Sequence, residues 1–557
     1  MKAFIVSAIV IVTGIFVFIL GYYLAVHNVA LFTRILHEQM VLSENSKSYE
    51  FWKDTSNLPP MHLDLYFFNW TNPEDLTLPG VKPNFVQVGP YSFLEIKKKV
   101  NITFHPENNT VSYFQQRFWY FDQERSNGTL QDYIIQLDAV AVSATHKIRN
   151  WSYFMQNTLS YLLTSKSDLS IRKTVDELLF TGYEDTLINM GKIAASQDMP
   201  PFDRFGWFYS RNGSITFDGN FNMDTGAGDI SQLGVLKKWN YKDTTNFFKS
   251  PCNVVEGSAG EFWPPHQMEA DIILYSSDVC RTLTYEFEKQ IDYMGIKGNK
   301  YTLDKKSLAN NTKKRFPHDQ AKYFEITTTT EDFFESDYSE EVTQTPKDND
   351  DPDVVNLGNC YCNGECNPSG LINVTLCRYG APAFLSLPHF YKADPVFGNQ
   401  VIGMNPNEED HSFYIVLEPT TGIPLEVAAR LQVNMLIQPS HTITLFKDIP
   451  KMYFPIFWFS MKVKAPEQFI SELKTVFILK DVMLWSGVFL IPTGVTMIFS
   501  TIIYLYFRRN TEVHEQLKLE NANGSSKKNV ESVYLNKINP DDDTHVRSNH
   551  QLYPKLY

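Results

Sequence analysis

The sequence predicts an α+β, β-rich protein built as a two-span membrane hairpin with one large ectodomain. Charge-free apolar runs lie near both ends of the chain, at Phe4–Val26 and Val482–Phe507, and no comparable run lies between them. About 20 apolar residues are enough to cross a ~30 Å hydrocarbon core. Residues 27–481 therefore lie on one side of a bilayer, and their alternating apolar and polar positions favour antiparallel strands.

The charges beside the two apolar runs set the orientation. Lys2 precedes the first run, and Arg508 and Arg509 follow the second. Because positive residues concentrate at the cytosolic ends of membrane spans, we expect residues 1–3 and 508–557 to be cytosolic. A cleaved signal peptide is the alternative for the first run. Its apolar core would be about 7–15 residues and would end at a small-residue cleavage site, so the longer run here favours a retained anchor.

Glycosylation motifs support the same orientation. Eight N-x-S/T triplets lie between the apolar runs, and such triplets accept glycans on the lumenal or extracellular side. Asn-rich chains produce such triplets by chance, but eight within one domain disfavour chance alone. Asn523 also begins a triplet, but it lies in the predicted cytosolic tail and should be bare. The eight predicted glycosylation sites are Asn69, Asn101, Asn108, Asn127, Asn150, Asn212, Asn310 and Asn373.

Composition and cysteines restrict the function further. The net charge of −13 disfavours nucleic acid as a partner. All six cysteines lie in the ectodomain, and an even number in an oxidising compartment predicts three disulfides, with 15 pairings open. A zinc site is the alternative for the clustered cysteines, but their C-x-C-x3-C spacing differs from the usual paired C-x2-C ligands. The clustered cysteines are Cys360, Cys362, Cys366 and Cys377.

Periodicity predicts the order of elements in the ectodomain. Polar helical sequence comes first, strands and a helical region follow, and strands then return on either side of an acidic segment with the composition of a disordered loop. An amphipathic helix leads into the second span. The predicted regions are helical 27–60, strands 61–121, helical 132–192, strands 204–300 with turn clusters at SRNGS and DGNFNMDTGAGD, an acidic loop 331–353, strands 371–460 and a helix 467–480.

The usual sequence signatures of catalysis do not occur. The chain has no H-E-x-x-H, P-loop, G-x-G-x-x-G or G-x-S-x-G motif. The string Gly257-Ser258-Ala259-Gly260 has the wrong glycine pattern for a nucleophile elbow. We interpret His389, in SLPHF, as a core histidine rather than a catalytic base. We expect no enzyme activity, no cofactor, no metal and no catalytic residue.

Several strings together resemble the class B scavenger receptor family, which includes the fatty-acid translocase, the high-density-lipoprotein receptor and the lysosomal integral membrane protein. Their order, their spacing and the two end anchors make the match specific. Two further strings, FGWFYSRNGS and FNMDTGAGDISQLG, resemble the invertebrate epithelial membrane protein branch. The family strings are FFNWTNPEDL, VGPYSF, SSDVCRTL, CRYGAPAFLSLPHFYKADP, GMNPNEEDHSFYIVLEPTTGIPL and ARLQVNM.

The resemblance implies an antiparallel β-barrel-like core, a helical apex at residues 150–192 and a hydrophobic tunnel toward the bilayer. It also implies the disulfides Cys252–Cys360, Cys280–Cys377 and Cys362–Cys366. Some members carry palmitoylated cysteines beside the membrane. This chain has no cysteine there, so we expect no acyl anchor.

The implied function is a receptor that captures lipids or lipid-bearing particles and passes lipid to the membrane without an energy source. Fatty acids, sterols, phospholipids or lipoproteins are the expected ligands. The alternative is a trafficking or adhesion receptor that binds a protein cargo or apoptotic cells and moves no lipid. A plasma-membrane protein that cycles through endosomes or lysosomes is expected in either case.

Two groups of residues are candidates for binding. Lys166, Arg172 and Lys173 are predicted to capture anionic ligands, although a solvated helix face with neighbouring acids is the alternative. Tyr553 and Leu556 fit a Tyr-x-x-apolar sorting signal for clathrin adaptors. The apolar residues of the helical apex are predicted to pack inside the bundle rather than to contact ligand. These are Tyr153, Phe154, Leu159, Leu162 and Leu163.

Overall fold

The fold is taken from a computed structural model. It describes residues 2–57, 60–166, 168–193, 202–267, 269–310, 312–315, 354–362 and 366–531. The predicted acidic loop 331–353 and the predicted sorting residues Tyr553 and Leu556 lie outside the described residues. The chain divides into two compact units, Met1–Thr33 with Val476–Tyr557, and Arg34–Thr475.

The described part contains long terminal helices, short internal helices and many strands. The helices are α1 Lys2–Met40, α2 Lys47–Lys53, α3 Ala139–Ile148, α4 Tyr153–Leu162, α5 Val175–Leu179, α6 Thr186–Ile193, α7 Lys305–Leu308, α8 Leu357–Cys362, α9 Pro395–Asn399, α10 Glu408–His411 and α11 Glu467–Glu531. The strands are β1 Met61–Trp70, β2 Phe85–His105, β3 Thr110–Phe121, β4 Tyr133–Leu137, β5 Ser170–Thr174, β6 Asn220–Asp224, β7 Leu236–Trp239, β8 Ile272–Ser276, β9 Arg281–Tyr293, β10 Ile296–Leu303, β11 Lys313–Arg315, β12 Val354–Asn356, β13 Ile372–Asn373, β14 Ala383–Ser386, β15 Tyr414–Leu417, β16 Pro424–Ile437 and β17 Met452–Lys464.

The first unit holds most of the two helices that can cross a membrane. The stretches Phe4–Met40 of α1 and Glu467–Leu519 of α11 are long and apolar enough to do so, and their side chains are mostly exposed. Both predicted apolar runs lie inside them. Each helix continues past its apolar run, because backbone hydrogen bonding does not require apolar side chains.

Four glycines bring the two membrane helices into backbone contact. A Cβ atom on Gly494 would lie 2.6 Å from the carbonyl oxygen of Gly14, and one on Gly487 would lie 2.7 Å from that of Gly21. Small residues permit such an approach in a bilayer, where lipid tails remove the hydrophobic drive for association. The pairing of Gly14 with Gly494 and of Gly21 with Gly487 makes the helices antiparallel, as the predicted hairpin requires.

The second unit is organised by one antiparallel sheet of 13 strands. Its strand order is β7-β6-β3-β2-β1-β17-β16-β15-β10-β9-β8. Outside this order, β14 pairs with β16, and β13 pairs with β14. The long pairing of β16 with β17 runs from Glu426 opposite Lys464 to Ile437 opposite Met452. Both strands are buried over most of their length, and aromatic side chains dominate the core around them. These include Phe67, Phe68, Trp70, Phe454, Phe457 and Trp458.

The segment around Ser258 brings the two edges of this sheet close to closure. Ser258 bridges Val235, next to β7, and Leu274 of β8. The Ser258 hydroxyl donates to the carbonyl of Phe262 and accepts from the N–H of Gly260, and the residue is buried. The backbone of Ser258 therefore links the two sheet edges, and its hydroxyl already makes two hydrogen bonds. The predicted β-rich class and barrel-like core are confirmed.

Three details of the predicted element order are wrong. The helical region 132–192 contains the antiparallel pair β4–β5, whose register runs from Tyr133 opposite Thr174 to Leu137 opposite Ser170. Strand β6 lies inside the string DGNFNMDTGAGD, interpreted as a turn cluster, because its backbone pairs with β3 and β7. Within the described residues of region 27–60, helical structure is confined to α1, α2 and a short turn at Thr55–Asn57.

Candidate functional site

Helix α4 has apolar residues on two opposite faces. Leu159 and Leu163, just beyond its end, are buried in the core of the second unit. Phe154 and Tyr161 are seven residues apart and share the opposite face, since seven residues make nearly two helical turns. Their exposed fractions are 75% and 81%. The leucines hold the helix on the core, and the aromatic rings face outward.

Neighbouring residues extend this face into an exposed aromatic surface. Tyr153 is 74% exposed, and Trp151 and Met155 are exposed as well. The packing predicted for Tyr153 and Phe154 is therefore wrong, whereas Leu159 and Leu163 do pack and Leu162 is half-buried. Large apolar residues grouped on a surface are uncommon in folded proteins and mark contacts with partners or membranes. We call Trp151, Tyr153, Phe154, Met155 and Tyr161 the aromatic surface.

Lys166 is held by acidic residues rather than presented to solvent. Its ammonium group contacts the carboxylate of Asp138, which is fully buried, and lies 3.5 Å from that of Asp185. Burial alone would lower the pKa of Lys166, but the two carboxylates outweigh it and raise that pKa. Asp138 also accepts from the N–H of Ala141 and caps α3. Lys166 thus serves to neutralise the carboxylate that starts α3.

The other two predicted capture residues contact aromatic rings. The Arg172 guanidinium carbon lies 3.9 Å from the centroid of the Tyr133 ring, across the β4–β5 pair. The Lys173 ammonium lies 4.9 Å from the Tyr183 ring and 3.7 Å from the Glu177 carboxylate. Cations over aromatic faces gain about 0.5–1 kcal/mol at exposed sites. The structure therefore places all three predicted cations beside internal partners.

His389 lies in the core, in a polar cluster with Gln87, His411 and Trp458. Its Nε2 is 2.7 Å from the Gln87 side-chain oxygen, which also accepts from the Trp458 indole. Its Nδ1 accepts from the N–H of Asn405. The ring stacks on His411, and burial together with that neighbour lowers the pKa of His389 to about 4. The imidazole is therefore neutral at physiological pH and structural in its contacts.

The six cysteines are joined in three pairs. The structure pairs Cys252 with Cys360 and Cys280 with Cys377, with Cα–Cα distances of 6.1 and 6.2 Å. Cys362 pairs with Cys366 at 4.7 Å. All three distances lie in the range that disulfides adopt. No thiol among the described cysteines is left for a zinc site, and the described residues contain no other cluster of three metal ligands.

The predicted glycosylation sites differ in accessibility. Exposed asparagines begin six of the triplets, at Asn101, Asn108, Asn127, Asn150, Asn212 and Asn310. Asn373 is half-buried in β13. Asn69 lies in β1 between two buried aromatic residues, and its side-chain oxygen accepts from the N–H of Ile135. A bulky glycan has the least room at Asn69.

Sequence reasoning missed the exposed part of α4. The spacing of Phe154 and Tyr161 shows that they share a face, but Leu159 and Leu163 form an equally apolar stripe. Only the packing of the leucines in the folded core decides which stripe faces outward. Trp151 and Tyr161 were therefore not predicted as site residues.

Comparison with known proteins identifies the family. The sequence model of the CD36 family matches residues 9–505. Protein peste of Drosophila melanogaster is 34% identical over 471 residues, which is 84% of this chain and 77% of that protein. Scavenger receptor class B member 1 of Bos taurus is 27% identical over 499 residues, covering 88% and 87% of the two chains.

Human lysosome membrane protein 2 is also similar, with 27% identity over 445 residues, 79% of this chain and 82% of that protein. The match extends from one membrane helix through the sheet to the other, so it covers both units. The resemblance seen in the sequence strings is confirmed, and placement in the invertebrate branch stays a prediction. This chain is a membrane protein of the CD36 family, that of the class B scavenger receptors.

Proposed function

We propose that this receptor captures lipid-bearing particles on its aromatic surface and passes their lipid to the membrane through an internal tunnel. The observation that carries the capture step is the outward face of α4, where Phe154 and Tyr161 are exposed while Leu159 and Leu163 anchor the helix. Aromatic rings gain free energy when they leave water for an apolar interface. The surface of a lipid particle offers such an interface.

The transfer step follows from the cost of moving lipid through water. Each CH₂ group that leaves an apolar phase costs about 0.8 kcal/mol, so a C16 chain faces a barrier on the order of 10 kcal/mol. An apolar passage removes most of that barrier without an energy source, and lipid then flows down its concentration gradient. Membership in the CD36 family and the nearly closed sheet support this step.

The location and topology of the receptor are part of the same proposal. Both termini are cytosolic, the second unit with its glycans faces the outside or a lumen, and no catalytic step is involved. Tyr553 and Leu556 bind clathrin adaptors and cycle the receptor between the plasma membrane and endosomes or lysosomes. The names of two relatives, a scavenger receptor and a lysosome membrane protein, are compatible with either end of that route.

Particle binding by cells that express the full chain tests the capture step. The variant Phe154→Ser/Tyr161→Ser should lose most binding of fluorescent lipoprotein in the cold, because both rings are replaced by small polar groups. Tyr120→Ser removes an exposed tyrosine on β3 and is the matched control. Arg172→Gln/Lys173→Gln tests the predicted cationic capture. Normal binding by the α4 variant together with loss in the cationic variant would assign capture to the cations instead.

The alternative function is a trafficking or adhesion receptor for a protein cargo or apoptotic cells. It shares the binding step and lacks lipid transfer. Particles labelled separately in their protein and lipid parts distinguish the two functions. Lipid that enters cells in excess of particle protein supports the conduit, and equal uptake of both labels supports the alternative.

A further inference from the structure

Arg281, the first residue of β9, carries a buried positive charge that no described carboxylate balances. The residue is 7% exposed, and its guanidinium forms no ion pair with the acidic residues that the structure describes. Its Nε is buried without a hydrogen-bond partner in the same part of the chain. Burial lowers the pKa of Arg281, and the nearby Tyr361 opposes that shift. A buried charge of this kind is costly unless a counter-charge lies beside it.

The neighbours of Arg281 fix its guanidinium but supply no negative charge. Its Nη2 donates to the carbonyl of Ser307 at 2.7 Å, and its central carbon lies 4.0 Å from the centroid of the Tyr361 ring. Ser307 is itself fixed, because its hydroxyl accepts from the N–H of Thr284 and donates to the carbonyl of Thr284, both at 2.8 Å. The guanidinium is therefore held against both α7 and α8, and its positive charge remains unmatched.

A small cavity lies beside this guanidinium. Its volume is about 40 Å³, and one water molecule needs roughly 10–15 Å³, so the cavity can hold a small ion but no organic ligand. Positive and amide groups line it, and no Asp or Glu is among its described lining residues. Of the two cations, Lys306 already contacts the carboxylate of Asp271, which leaves Arg281 as the unmatched charge. The amides belong to Asn310, Asn367 and Asn373.

A second cavity, of about 20 Å³, also borders Arg281. Glu256 is part of its lining, although its carboxylate forms no ion pair with Arg281. A carboxylate at this position repels an anion. The larger cavity is therefore the better place for a counter-ion.

We propose that the cavity of about 40 Å³ binds one chloride ion, which balances the charge of Arg281. Chloride is monovalent and small enough to fit, and it accepts hydrogen bonds from guanidinium and amide N–H groups. The bound ion links β9, α7 and α8, and it stabilises the folded protein because the unfolded chain has no such site. The site lies outside the aromatic surface and takes no part in lipid transfer, so its test is independent of the proposed function.

Thermal unfolding of the full-length protein in nanodiscs tests the site. Sodium chloride is titrated against sodium isethionate at constant ionic strength, because the isethionate anion is too large for the cavity. The unfolding midpoint of the wild type should rise by a few degrees between about 1 and about 150 mM chloride and then level off. Broadening of the ³⁵Cl NMR line, reversed by bromide, measures binding directly.

Arg281→Gln should abolish both effects, because the amide can still donate to the Ser307 carbonyl but carries no charge. Arg430→Gln is the matched control and should keep the chloride response. Arg430 is also buried, but the carbonyls of Glu409 and Ser412 accept its hydrogen bonds, and it lines neither cavity.

Asn367→Asp covers the case in which Arg281→Gln does not fold. It places a fixed negative charge in the cavity lining and keeps the oxygen that accepts from the Tyr453 hydroxyl. Asn367 begins no glycosylation triplet, since Pro368 follows it. The variant should lose the chloride response and be at least as stable as wild type in isethionate. A chloride response that persists in folded Arg281→Gln or Asn367→Asp, or no difference between chloride and isethionate in wild type, would overturn the proposal.

Discussion

The imidazole rings of His389 and His411 stack with their centroids 4.4 Å apart. Each Nδ1 accepts a backbone N–H from the same short loop, from Asn405 for His389 and from Asn407 for His411. A ring that carries a proton on Nδ1 cannot accept these bonds. Both rings must therefore carry no proton on Nδ1 if the loop 403–408 is to keep these two hydrogen bonds.

Acid should destabilise the second unit through this pair. Burial and the neighbouring His411 ring lower the pKa of His389 from the usual 6.5 to about 4. Burial lowers the pKa of His411 to about 4 as well, with Asp410 opposing the shift and Arg430 adding to it. Between pH 6.5 and about 4 the unfolded chain binds more protons than the folded chain. Stability therefore falls as the pH falls through that window, by at most about 1.4 kcal/mol per pH unit for each ring.

Thermal unfolding of the full-length protein across that pH window checks this prediction. His389→Asn and His411→Asn should each flatten the pH dependence, because an amide oxygen accepts the loop N–H and does not titrate. His105→Asn, which changes a partly exposed histidine outside this core cluster, is the control. An unchanged slope in both core variants would show that other groups cause the acid sensitivity.

The Asp278 carboxylate should contribute more to the free energy of unfolding than a carboxylate in an isolated ion pair does. Its carboxylate lies 2.5 Å from Arg211, 3.4 Å from Arg117 and 3.7 Å from Arg378, and these guanidinium groups outweigh burial and hold its pKa far below the usual range. Asp278→Asn leaves three guanidinium groups close together with less negative charge. Because the carboxylate is 39% exposed, we expect a loss of about 1–3 kcal/mol rather than the larger cost of a fully buried pair.

Denaturant unfolding measures this loss. Asp304→Asn breaks the single contact to Lys392 at 2.6 Å and serves as the matched control, with an expected cost below about 1 kcal/mol. Equal losses in the two variants would contradict the role of the arginine cluster.

The cysteine pairing should be visible by peptide mapping. Non-reducing digestion and mass spectrometry should yield Cys252 linked to Cys360, Cys280 to Cys377 and Cys362 to Cys366. Cys280→Ser/Cys377→Ser opens a link across 97 residues and should cost about 2–5 kcal/mol in stability. Any other linkage in correctly folded protein would refute the pairing.

Glycan mapping should separate the eight triplets and test the orientation. We expect glycans at exposed asparagines such as Asn127 and Asn150, and none at Asn69, because its side chain is held inside β1. Asn523 should also be bare, since it is predicted to lie in the cytosol. Enzymatic release in ¹⁸O water marks each occupied asparagine. A glycan at Asn523 would reverse the proposed topology.

The membrane hairpin could be predicted from the sequence because a long charge-free run is a local property. The glycine contacts of Gly21 with Gly487 could not, since they depend on which helix faces meet. Strands β4 and β5 escaped prediction for a related reason. Their five-residue segments carry little periodicity, and their pairing joins residues more than 30 positions apart.

The candidate sites, too, could be predicted only where the signal in the sequence was local. The family strings led to the correct family, but the cations Lys166, Arg172 and Lys173 could not be judged without knowing that Asp138, Tyr133 and Tyr183 lie beside them.

Dual-label uptake by cells that express the full chain tests the central claim most directly. Lipoprotein labelled in its protein and in a non-exchangeable cholesteryl ester is offered to cells with wild-type receptor, the Phe154→Ser/Tyr161→Ser variant or no receptor. The proposed conduit predicts lipid uptake several-fold above protein uptake in wild-type cells, and loss of both in the variant. Equal uptake of lipid and protein label in wild-type cells would contradict lipid transfer and leave a particle or cargo receptor.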